Sequence, residues 1–203
     1  MKFNYTYLLI LIVTLSIFSC KNTKQQDQHD QNSVNLENNE EINYAEIGMN
    51  IALNTKAQLG KNLIGTIQKE GTVNALKFCN IKAYPLTDSM SIAFNTKIKR
   101  VSDLPRNTDN TANEIELAHI NTFKNKLDNG EKIEPIINKK LNSVHFYAPI
   151  ITDQLCLQCH GNIGTDIKPN VLKAIDSLYP NDMAKGYALN QVRGIWSIEM
   201  DTK

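Results

Sequence analysis

Apolar residues fall along the chain in three regimes. From Tyr7 to Phe18 they form a run broken only by Thr14 and Ser16. From residue 21 to residue 43 they nearly vanish. From Tyr44 onward they return at the periodicities of packed structure. Ala45, Met49, Ala52, Leu59, Leu63 and Ile67 recur at helical spacing, and Gly71 is the expected stop. A second helical pattern carries Val73, Ala75, Leu76, Cys79 and Ala83. Pro85 is expected to interrupt it before a short helical run over 88–95.

The pattern then changes period. Residues 96–102 alternate and predict a strand, followed by the turn cluster LPRNTDN. Thr111 and Glu114 stand at capping-box spacing and predict a helix over about 112–127, with Ile115, His119, Phe123 and Leu127 on its apolar side. Residues 131–138 and 143–151 predict a hairpin. Residues 166–179 predict a short helix with Pro169 near its start, and residues 194–200 a last strand. Early helices followed by short strands and an inserted helix predict an α+β domain with a small antiparallel sheet.

The first two regimes lie outside that domain. Lys2 followed by the apolar run reads as an export signal over 1–19, and the run is too short for a confident membrane span. It ends in Ile17-Phe18-Ser19-Cys20, which resembles a bacterial lipoprotein signal with Cys20 as the lipidated new N-terminus. Phe18 is larger than that pattern prefers, and a plain secretory signal or an uncleaved anchor are the alternatives. The polar stretch to residue 43 cannot bury enough surface to fold. It reads as a tether of roughly 25–30 Å root-mean-square reach. The expected location is therefore the bacterial cell envelope, lipid-anchored, on a periplasmic or outer-membrane face. The formal net charge is +1, so charge gives no reason to expect a nucleic-acid partner.

The chemistry centres on CLQCHG, residues 156–161. Cys156, Cys159 and His160 have the C-x-x-C-H order of covalent haem c attachment. On a tight turn, cysteines at i and i+3 can present both sulfurs to one porphyrin edge, and the next residue then offers an imidazole to iron. A dithiol of the thioredoxin type normally opens a helix after a strand in an α/β fold, which this pattern is not. Zinc needs four ligands, and no second C-x-x-C is present. Candidates for a second iron ligand are Cys79, His119, His145, Met90 and the other methionines. Each also has a plain packing role available, and a lone helical cysteine is most often a small buried hydrophobe.

An ordered set of residues narrows the choice. NALKFCNIKA (74–83), Arg100-Val101-Ser102, Arg106-Asn107, Phe146 to Ile150, the haem motif, Tyr179-Pro180-x-Asp182-x-Ala184-x-Gly186-Tyr187 and Arg193-Gly194 follow one another. Together they resemble a family of single-haem c-type domains with a PAS-like fold, catalogued as a domain of unknown function. The resemblance spans about residues 45–200. It departs after Asn107, where the family tends to have proline and this chain has Thr108. It implies a PAS-like sheet with long N-terminal helices over 44–203, and iron held by His160 and Cys79. Haem propionates would need cationic partners, and Arg100, Arg106 and Arg193 are the candidates.

The expected function is that of a membrane-tethered exported c-type haem protein sensing redox state or a small gas ligand, its signalling or redox partner unidentified. The alternative is a single-haem periplasmic electron-transfer lipoprotein. No Ser/His/Asp set or paired carboxylates suggest an enzyme.

Overall fold

The computed structural model describes residues 42–202. Cys20, the leader and most of the tether lie outside the described residues. The first element, α1 (Tyr44–Phe94), starts where Asn43 accepts a hydrogen bond from the Glu46 amide at 3.2 Å. It is broken at Gly71, where φ is 81° and ψ 169°, backbone that only glycine adopts cheaply. Gly71 thus ends the first helical segment as expected. Pro85 does not end the second: the helix runs on to Phe94. One donor is lost there, but Met90 and Phe94 beyond the proline pack on the core and hold the chain helical.

Four antiparallel strands follow: β1 (Lys97–Val101), β2 (Ile136–Lys139), β3 (Ser143–Ile151) and β4 (Val192–Asp201), in the order β1-β4-β3-β2. Two-residue alternation sorts their side chains. Val144, Phe146 and Ala148 of β3, with Trp196, Ile198 and Met200 of β4, meet Ile51 and Ala52 of α1. Tyr147 and Ile195 point the other way, against Ile120 and Phe123 of α2 (Glu114–Asp128). The architecture is the expected α+β one, a small antiparallel sheet with a long N-terminal helical element.

Four further local expectations need correction. The capping box of α2 is Asn113 with Glu116, not Thr111 with Glu114. The chain at 110–112 is instead tied to Ser102, through Ser102 N–H to Asn110 O (2.9 Å) and Ala112 N–H to Ser102 O (3.0 Å). Strand β2 begins only after Pro135, which has no N–H for a ladder. Residues 154–160, expected as a tight turn, form the short helix α3 (Gln154–His160). The following helix, α4 (Pro169–Leu178), is shorter than expected at both ends.

Two contacts seat α1 on the rest of the domain. Gly48 lets the helix settle on the sheet, because a Cβ there would run into the Phe146 ring. Gly48→Val is expected to cost about 1–3 kcal/mol by overpacking, read as a lower urea midpoint with an unchanged m-value. An unchanged midpoint would mean that the helix is not seated on Phe146. Further along, Leu76 joins Ile167, Val171 and Ile175 in a separate cluster. This brings the Cys79 half of α1 beside the α3–α4 segment. Among the described residues, no helix is long and apolar enough to cross a membrane.

Candidate haem site

Helix α3 exists because Asp153 caps it. Its carboxylate accepts from the amides of Leu155 (2.9 Å) and Cys156 (3.2 Å). On a helix, positions three apart share a face, so Cys156 and Cys159 present both sulfurs to one side. Both are half-buried and unpaired, as is Cys79. Burial pushes the Cys159 thiol up to about 11; Arg106 pulls it down, while Cys79 and Cys156 add to the rise. Burial also raises Cys156. Both thiols are therefore protonated at neutral pH, the opposite of the activated thiolate that disulfide exchange needs.

His160 ends the helix. Its Nδ1 lies 2.9 Å from Ala184 O, and Arg193 Nε lies 3.3 Å from the same nitrogen. One nitrogen cannot donate to the carbonyl and accept from the guanidinium at once. The shorter contact decides: Nδ1–H donates to Ala184 O, and the Nε2 lone pair is left for a ligand. Burial first, then Arg106 and Arg193, push the imidazole pKa well below the usual histidine value, so the ring is neutral. The backbone supports this placement, with Tyr187 N–H donating to His160 O (2.9 Å) and Gly186 N–H to Gly161 O (2.9 Å). Gly161 is needed for close approach, since a Cβ there would lie 2.5 Å from Asp166 Cβ. Its φ of −75° is ordinary.

The three candidate arginines behave differently. Arg106 is a clamp. It donates to Asp182 Oδ1 (3.1 Å) and Oδ2 (3.3 Å), to Cys159 O (2.5 Å) and to Ala184 O (3.1 Å). It thus ties the end of α3 to the carbonyl that holds His160. Asp182 was visible in the sequence only as part of a resemblance, and neither its role nor that of Ala184 O could be read there. Arg193 donates to Ser102 Oγ (2.8 Å) and lies over the Tyr187 ring, 5.3 Å from its centroid. Arg100 is half-buried near Cys79 and Tyr84, and no carboxylate pairs with it among the described residues. Burial raises the Cys79 thiol pKa, while Arg100 and Arg106 lower it.

The other ligand candidates are elsewhere. His119 and His145 flank Tyr147, at ring-centroid distances of 4.4 and 6.4 Å. Met90 packs on the α1–sheet core. Among the described residues, no three His, Cys, Asp or Glu side chains converge as a metal cluster. A macrocycle that supplies its own four donors does not need such a cluster and could be held by His160 and one further residue. An imidazole with a free Nε2, two neutral thiols on one helix face and a half-buried guanidinium lacking a carboxylate fit a haem with its propionates.

No curated protein matches the chain. Among solved structures, the crystal structure of the cyanobacterial heme-protein Tll0287 is similar, with a TM-score of 0.56 at 20% identity over 80% of this chain and 98% of that one. At that identity the likeness speaks to the fold. The Tll0287-like family model matches residues 21–200, most of the chain, and the chain belongs to that family.

Proposed function

We propose that this chain is an exported haem protein, tethered by lipid at Cys20, that responds to redox state or to a small gas ligand. Haem c would be attached through Cys156 and Cys159, and His160 and Cys79 would hold its iron. The observation that carries this reading is the Nδ1–H hydrogen bond from His160 to Ala184 O, which leaves Nε2 free beside two neutral cysteines. Membership of a family that includes a haem protein supports it.

The chain's residues divide the work. Ala184 O fixes the tautomer and orientation of His160, and Arg106 fixes Ala184. Arg100 would meet a propionate and favour thiolate at Cys79. A bound haem supplies a one-electron iron couple. Cys79 is the reason to prefer sensing over simple carriage, because a thiolate favours the ferric state and lowers the potential that a carrier would use.

The test uses protein matured in a host competent for haem c. Haem should stay on the chain through a denaturing gel and be lost in Cys156→Ala/Cys159→Ala. Haem that dissociates from the wild-type chain would overturn covalent attachment. Binding of nitric oxide or carbon monoxide favours the sensor, and rapid electron exchange without ligand binding favours the carrier.

The tether has its own test. Cys20→Ala is expected to move essentially all of the protein from the membrane fraction to the soluble one and to abolish palmitate labelling. Unchanged fractionation and labelling would exclude the lipid.

A further inference from the structure

A cleft of about 210 Å³ lies on the α2 side of the sheet, between β1, β4 and β3 and the first turn of α2. It shares no lining residue with the haem motif or the three arginines. Two cross-strand rows form its floor: Lys99, Ser197 and Tyr147, then Lys97, Glu199 and His145. Two-residue alternation turns all six to the same face. Lys97 pairs with Glu199 at 3.1 Å. Lys99, and Lys140 beside it in the lining, pair with no carboxylate among the described residues. Burial, then Lys140, holds the His145 pKa below the usual histidine value, so the lysines carry the positive charge. Tyr147 is 5% exposed, with its ring against Ile120 and Phe123. Its hydroxyl has no hydrogen-bond partner among the described residues, yet it is not sealed from solvent as the Tyr187 hydroxyl is. Burial raises its pKa, and Glu116 and Glu199 add to the rise, which sets the hydroxyl end toward the carboxylates of the cleft. Glu116 is 4% exposed and uses Oε2 on the Asn113 amide (2.9 Å); its Oε1 is unpartnered and likewise not sealed off. Buried polar groups are normally partnered. A donor row ending at Tyr147, with an acceptor at Glu116, calls for a ligand that is both anionic and proton-bearing.

We propose that this cleft binds inorganic phosphate as a protonated anion. Lys99, the Ser197 hydroxyl and the Tyr147 hydroxyl stand in one row and can all donate to phosphate oxygens. Lys140 adds positive charge. An ionised Glu116 can only accept, so its Oε1 holds a P–O–H and repels an oxyanion that has none. Sulfate has similar size and the charge of hydrogen phosphate but no proton at neutral pH, so the carboxylate selects against it. Glu116, Glu199 and His145 do not converge as a metal cluster among the described residues. The volume is ample for one phosphate with a few waters. The proposal does not depend on the haem reading.

The probes are inorganic phosphate, sulfate and methyl phosphate, titrated into the purified mature protein by calorimetry. At about pH 7.5 the ester has mostly lost its last proton, whereas inorganic phosphate keeps one. Phosphate should bind saturably and raise the melting temperature by several degrees at ~100-fold excess over its Kd. Sulfate and methyl phosphate should each bind about tenfold more weakly. Tyr147→Phe keeps the ring in the core and removes only the hydroxyl, so phosphate binding should weaken about tenfold. Lys99→Gln, at an exposed position, should do the same without changing the fold. Glu116→Gln keeps an acceptor for the Asn113 amide but turns an N–H donor to the cleft, so the preference for phosphate over sulfate should collapse. No saturable phosphate binding would overturn the proposal, as would binding insensitive to both Tyr147→Phe and Lys99→Gln. Sulfate or methyl phosphate binding wild type as tightly as phosphate would overturn it too, and so would a phosphate preference that survives Glu116→Gln.

Discussion

Asp182→Ala lowers stability by about 3–5 kcal/mol, the range found when one partner of a buried ion pair is removed. The Asp182 side chain is 1% exposed and that of Arg106 is 10% exposed. Truncation leaves the Arg106 guanidinium buried with only the carbonyls of Cys159 and Ala184 as acceptors, and costs the Ala184 amide its bond to Asp182 Oδ1 (2.9 Å). Asp182→Asn keeps an acceptor and should cost less. The same pair gives a pH dependence with a definite sign. Burial alone would raise the Asp182 pKa, but Arg106 and the hydrogen bonds from Arg106, Ala184 and Lys185 outweigh it and leave it below the ordinary aspartate value. The native state then binds fewer protons than the unfolded one, so this stabilisation is full above the unfolded pKa and is lost as pH falls through the lowered native value. Urea unfolding at neutral pH and near pH 3 should show wild type losing this contribution in acid and Asp182→Asn lacking it throughout. A wild-type minus variant difference independent of pH would exclude the pair as its source.

The clamp also shows which parts of the molecule local sequence could reveal. Strand β3 has the expected limits of 143–151 because its alternation is strong and its ends are set locally. Gly71 is a stop because its backbone angles are a property of the residue itself. Two of the errors lie where a distant partner decided. Thr111 and Glu114 have the spacing of a capping box, but Ser102 holds the preceding residues extended and delays the helix to Glu114. Pro85 is expected to interrupt α1 before a short helical run over 88–95, and packing of Met90 and Phe94 on the core carries the helix through it.

The site divides in the same way. Cys156, Cys159 and His160 were legible because the motif is contiguous, and the helix they form had a readable signal in Asp153, three residues before Cys156. The group that orients His160 was not legible: it is a main-chain carbonyl 24 residues away, and any residue type can supply one. The arginines were legible only as a class. Arg106 is drawn to Asp182, Arg193 lies against Tyr187 and Ser102, and Arg100 is left without a carboxylate. Residue type alone assigns all three the same role, and their different partners come from the tertiary fold.

If Cys79 holds haem iron as proposed, Cys79→Ala is expected to change the ferric absorption and EPR spectra of the mature protein and to raise its midpoint potential, within the roughly 0.8 V span over which iron ligands move haem potentials. Leu76 packs on Ile167, Val171 and Ile175, which seats the Cys79 turn of α1 beside the segment following α3. Cys79 and Cys159 are near enough to raise the pKa of Cys159, and Arg100 and Arg106 lie near enough to lower that of Cys79. Burial still wins at Cys79, so without a further cation the thiol stays protonated. Ferric iron would be that cation, and thiolate donation then stabilises the oxidised state. Cys79→Ala removes a half-buried side chain and installs alanine, the residue of highest helix propensity, so the fold should survive and covalent haem should remain at its wild-type level. Cys79→Met should also restore a sulfur ligand but without the charge, giving a potential above wild type and a different ferric spectrum from either. Spectra unchanged in both variants would exclude Cys79 as the axial residue and return the question to a ligand outside α1.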